Sequence, residues 1–93
     1  MDLTARLEAA GFSRVASQNP RFFMVHRGQI LCLIETETNQ PGSPMLMTEQ
    51  GFATLFWKEQ VPFLTGRGFE IPAPADQIEE LRIFTQDLKE ILL

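Results

Sequence analysis

The 93-residue chain holds a single cysteine and a single histidine. One cysteine excludes an internal disulfide and agrees with a reducing cytoplasm. One histidine leaves a zinc site short of ligands and gives any serine or threonine nucleophile only one plausible base. No apolar run approaches the roughly 20 residues of a membrane helix. The opening Met1-Asp2-Leu3-Thr4-Ala5-Arg6-Leu7-Glu8 has neither a basic flank nor an apolar signal core. With no Asn-x-Ser/Thr acceptor either, a cytoplasmic location is expected. Basic residues are also few, eight against twelve acids, for a net charge of −4. That sign disfavours general nucleic-acid binding.

What is present fits one globular domain, 1–93, with 44% hydrophobic and 22% charged residues. Charge is unevenly spread. Arg6, Arg14, Arg21 and Arg27 face only Asp2 and Glu8 up to Ile34, whereas ten acids face four bases from Glu35 onward. Such asymmetry orients a partner or simply biases a solvated surface.

The chain opens on a short helix. Asp2 is placed to cap it, Leu3, Leu7 and Ala10 form its stripe, and Gly11 suits a left-handed C-terminal position from which Phe12 packs back. Residues 13–18 read as an edge strand, and Asn19-Pro20 as a turn. Phe22-Phe23-Met24-Val25 and Ile30-Leu31-Cys32-Leu33-Ile34 flank His26-Arg27-Gly28-Gln29, the pattern of a β-hairpin. Neither run alternates, so both faces of the hairpin call for cover. A chain this short has too little helix for both, and a second copy is expected to supply the missing layer, making a homodimer.

Residues 36–44 hold two prolines and a glycine in a polar setting and read as a mobile loop. A second helix is expected from Thr48, with Met47 and Phe52 as its hydrophobic staple and Phe52, Leu55 and Phe56 as its buried stripe. Trp57 then falls roughly 100° from Phe56 and 140° from Phe52. Phe63-Leu64-Thr65 and Gly68-Phe69-Glu70-Ile71 make a small extended pair ended by Pro72-Ala73-Pro74. The last helix has a capping-box-like Asp76 and Glu79 and a stripe of Ile78, Leu81, Phe84, Leu88, Ile91 and Leu92, with Ile83 among the charges. The expected fold is therefore α+β: a small, mainly antiparallel sheet of three to five strands with about three helices, in the order α-β-β-β-α-β-β-α. This order resembles that of the small acidic chaperones that serve type III secretion, which work as homodimers. The likeness is one of element order; it carries no motif and transfers no residues.

Candidate chemistry is thin. His26 and Cys32 flank one turn, but a two-residue loop sets His26 opposite Gln29, and a buried cysteine behaves as a small apolar residue. Glu35 and Glu37 share a strand face and are, as such pairs usually are, solvated carboxylates. Gly66-Arg67-Gly68 lacks the lysine and the strand-to-helix setting of a phosphate loop. No catalytic residue, metal site or cofactor is assigned.

Met45, Met47, Trp57, Phe63 and Ile83 are large apolar residues outside the simple stripes; they either pad the core or make contact, and Met45, Met47, Trp57 and Ile83 are the candidates to touch a protein partner. Arg21 and Arg27 are candidates to steer an acidic partner. The reading is a non-enzymatic protein-binding module, a small self-associating adaptor, regulator or chaperone of bacterial type. The alternatives are a small-ligand or metabolite sensor, with Phe22, Met24 and Phe84 lining an apolar pocket between the hairpin and the C-terminal helix, or a small enzyme or acidic nucleic-acid mimic.

Overall fold

The computed structural model describes residues 2–93. Helix α1 (Leu3–Ala9) forms as its caps dictate: the Asp2 carboxylate accepts the Ala5 N–H at 2.7 Å. Gly11 takes φ +87°, a conformation an L side chain resists, and turns the chain so that Phe12 is buried against the helix.

Seven strands follow: β1 (Ser13–Ala16), β2 (Phe22–Arg27), β3 (Ile30–Glu35), β4 (Met45–Thr48), β5 (Gly51–Lys58), β6 (Val61–Gly66) and β7 (Phe69–Pro72). They form one sheet in sequence order, each antiparallel to the next. Helix α2 (Ala75–Leu92) closes the chain. The β2–β3 loop is Gly28-Gln29, with Gly28 at φ +60°, so His26 stands opposite Leu31 rather than Gln29.

Both helices lie on one face of the sheet. Phe23 and Val25 of β2, Ile30, Cys32 and Ile34 of β3, Leu46, Ala53 and Leu64 form a single buried cluster with Leu7, Phe12, Leu81, Phe84 and Leu88. Each large side chain fully buried there contributes about 1.5–3 kcal/mol. The register carries this helix face across the sheet through the pairs Phe23–Ile34, Val25–Cys32, Ile30–Leu46, Leu46–Ala53 and Leu55–Leu64.

The expected middle helix is absent; residues 45–58 are two strands of a hairpin. Phe52 and Phe56, four apart, share a face in a helix and in a strand alike. Leu55 separates the two states: in a helix it joins them, whereas here it points to the other face with Ala53 and packs on the core. Met47 and Phe52, spaced like a staple, are cross-strand partners. Gly51 at φ +130° is unsuited to a first helical turn, and aromatic and β-branched residues favour the pleated alternative. The sheet therefore has seven strands rather than three to five, and two helices rather than three flank it. The likeness to the secretion chaperones needed the middle helix and falls with it.

Two smaller expectations also change. Segment 36–44 is fastened back along β3, since Glu35 N–H donates to Gln40 and Gly42 N–H donates to the Leu33 carbonyl at 2.8 Å. Helix α2 begins after Pro74 with no side-chain cap. Asp76 lies within its first turn, and Glu79 is paired with Arg82 instead.

Candidate functional site

Because strand residues alternate, the same register that buries one face fixes the membership of the other. On the open face, β2 places Phe22, Met24 and His26; β3 places Leu31 and Leu33; β4 places Met45 and Met47. Strands β5 and β6 add Phe52 and Phe56, then Val61 and Phe63, and β1 adds Val15 at the edge. Leu33, Met47, Phe52, Phe56 and Val61 are each between 40% and 51% exposed. None of these open-face residues belongs to the buried cluster or packs on it; the partly buried strand residues that do, Leu55, Phe69 and Ile71, are on the helix face.

Charge on the open face is sparse and largely internal. Lys58 Nζ lies 2.9 Å from the Glu70 carboxylate, and its ammonium stands 5.7 Å from the centre of the Phe63 ring. Glu35 and His26 are the other ionisable groups on these rows.

The residues singled out from the sequence fall in several places. Met45 and Met47 are on the open face. Trp57 pairs with Pro62 on the helix-face side of β5, where it is 54% exposed, and Ile83 is exposed on the outer side of α2. Arg21 is exposed in the turn before β2, in a hollow shared with Glu35 and Glu37, so carboxylates of this chain already accompany it. Arg27 is committed within the fold: its guanidinium donates to the Ala10 carbonyl at 3.0 Å and to Asp87 at 2.9 Å, and lies 4.4 Å from the centre of the Phe12 ring. Phe22 and Met24 are on the open face, whereas Phe84 is buried on the helix face, so the three do not line one pocket.

Leu33, Phe52, Phe56 and Val61 were missed as contact candidates. For Phe52 and Phe56 the signal is the alternation of residues 52–57 in a strand, which their helical spacing masks; Leu33 and Val61 lie outside that segment, in β3 and β6.

On the helix face, α2 leaves part of β5 uncovered. A cleft of about 950 Å³ opens there, with Leu55 and Trp57 on the sheet side and Ile78, Leu81, Thr85 and Lys89 on the helix side. The Cys32 thiol is buried and donates to the Gly42 carbonyl oxygen at 3.3 Å; burial pushes its pKa up, and a smaller effect of the Gly42 backbone acts the other way. Among the described residues no group of three or more His, Cys, Asp and Glu is placed to hold a metal ion. Nor is any helix among them long and apolar enough to cross a membrane.

Comparison with protein-family models, with curated proteins and with solved structures finds no match.

Proposed function

We propose that this chain is a non-enzymatic protein-binding module of the cytoplasm, an adaptor, regulator or chaperone, that pairs with a second copy of itself through the open face of its sheet. The observation that carries this reading is the placement of both helices on one face while the other exposes Leu33, Met47, Phe52, Phe56 and Val61, interrupted by the Thr54–Thr65 pair and Lys58. Soluble monomers rarely leave more than a few hundred Å² of contiguous apolar surface in water.

Area supports a second copy as the occupant. Strands about 4.8 Å apart and about 20 Å long give seven of them a face of about 600 Å². Two such faces bury about 1,200 Å², the lower end of the range for specific, stable interfaces. Charge supports it too. Lys58 and Glu70 satisfy each other, so the face has no strong excess of one sign to select an oppositely charged partner. A two-fold interface sets a patch against itself, which an apolar, nearly neutral surface tolerates. Met24, Met45 and Met47 are unbranched and adapt to the facing layer.

Solution scattering over a concentration series tests this. A particle of twice the 10.6 kDa chain mass supports the reading. A single-chain mass at every concentration overturns it.

A further inference from the structure

We propose that the edge of β5 beyond the end of β4 is a docking site for an extended, uncharged segment of a partner protein, which adds to the sheet as an antiparallel strand. This gives the protein-binding reading a class of partner and rests on that reading, but not on pairing between copies. Strand β5 runs from Gly51 to Lys58, whereas β4 pairs with it only at Gly51, Phe52 and Ala53. Proline explains the difference. Continuing the register would set Pro44 opposite Leu55, and proline has no N–H for the ladder. The chain before Met45 follows β3 instead, with the Gly42 N–H donating to the Leu33 carbonyl at 2.8 Å.

Register also decides which main-chain groups of β5 stay open. Lys58 and Val61 flank the two-residue turn and bond to each other, as do Phe56 with Phe63 and Thr54 with Thr65. Leu55 and Trp57 fall between these pairs and aim their N–H and C=O groups away from β6. The Pro62 carbonyl, opposite Trp57, accepts the Ala73 N–H at 3.1 Å, on the side of β6 away from β5. Among the described residues no strand pairs with Leu55 or Trp57 where β4 has ended. Sheet edges are ordinarily blunted by a charge or a proline, and residues 54–57 carry neither.

The cleft beside α2 follows this edge. Alternation sends Leu55 and Trp57 to the helix face and Thr54 and Phe56 to the other, yet all four line it. Open donors and acceptors two residues apart select a peptide main chain as the occupant. Charge narrows its side chains. Arg82 is paired with Glu79, and Lys89 has Glu90 beside it on the rim. With no net charge there to hold an acidic or a basic segment, an uncharged one is the match. Its residues opposite Leu55 and Trp57 share their face, meet Ile78 and Leu81 of α2, and are apolar.

The probe is a capped heptapeptide of alternating threonine and valine, added to the full chain and followed by amide hydrogen exchange residue by residue. A control peptide is methylated on its valine nitrogens, which keeps the side chains and removes the donors that would face β5. At about 1 mM peptide and a Kd of about 0.1 mM, the first peptide should slow exchange at Leu55 and Trp57 about tenfold. The methylated peptide should slow neither. Unchanged exchange with the first peptide, or equal protection by both, overturns the proposal. Protection of Leu55 and Trp57 without peptide, growing with protein concentration, assigns the edge to a second copy and overturns it equally. Sedimentation of the same samples reads pairing separately: a monomer that binds the peptide refutes pairing alone, and a dimer that does not refutes this site alone.

Discussion

Arg27 on β2 and Asp87 on α2 meet at 2.9 Å across sixty residues of chain, and their ion pair fastens the last helix to the first hairpin. The same guanidinium reaches back to the Ala10 carbonyl and stacks on Phe12, so one side chain joins α1, β2 and α2. Arg27→Met removes two charge-assisted bonds and a cation–π contact and should cost about 1–3 kcal/mol in urea unfolding. Arg27→Lys keeps the charge but not the planar fork, and should recover less than half of that loss. Asp87→Asn affects one partly exposed bond and should cost under about 1 kcal/mol.

Gly66 and Phe69 give a second prediction. The Phe69 ring lies where a Cβ on Gly66 would stand, and that Cβ would also come 2.6 Å from the Phe52 carbonyl oxygen. Gly66→Ala should therefore destabilise by about 1–3 kcal/mol through overpacking. Adding Phe69→Ala should not restore stability, because the backbone oxygen of Phe52 stays in place. Thermal unfolding of the single and double variants checks this.

The β5–β6 turn is built from Glu59 and Gln60, at φ +50° and +69°, although neither residue is suited to a left-handed conformation. Replacing the pair with Asn-Gly, the residues that two-residue hairpin loops of this kind prefer, should stabilise the protein by about 1 kcal/mol. Unfolding midpoints in urea would show the gain. Unchanged or lower stability would count against strain in this turn.

Cys32 should be inert in the folded protein. Its thiol is buried and its pKa lies above the ordinary thiol range. Reaction with a thiol reagent at neutral pH should proceed only at the rate of opening, and at the free-thiol rate in denaturant. The linkage has a definite sign. A folded pKa raised above the unfolded one means that the native state holds its proton longer, so stability is unaffected below the ordinary thiol pKa. It then falls as pH climbs from there to the raised value. Cys32→Ala should remove that alkaline decline.

Elements whose local chemistry has one solution could be read from the sequence. Asp2 and Gly11 delimit α1 because a cap and a left-handed stop act within a few residues. The β2–β3 hairpin was legible because two apolar runs flank a glycine turn, and its two faces divide as alternation requires. Residues 45–58 were misread for a physical reason: spacings of four and five satisfy a helix stripe and staple as well as a strand face and a cross-strand pair. Only Leu55, Gly51 and the aromatic content break that tie.

The contact surface was half legible for the same reason. Met45 and Met47 stood out as unplaced apolar residues, but Phe52 and Phe56 had already been assigned to a helix core. Arg27 looked like a surface charge because the sequence does not show that Ala10, Phe12 and Asp87 converge on it. Phe84 could not be separated from Phe22 and Met24 without knowing which face α2 covers.

The pairing face is tested most directly by sedimentation velocity on the wild-type chain and on Leu33→Lys/Met47→Lys, with Ile83→Lys as the control on the outer side of α2. Both open-face positions are 40–50% exposed, so the lysines fit the isolated subunit and burden only the interface. The wild type and Ile83→Lys should sediment as dimers and the double variant as a folded monomer. A double variant that stays dimeric, or a wild type that is monomeric throughout, contradicts pairing through this face.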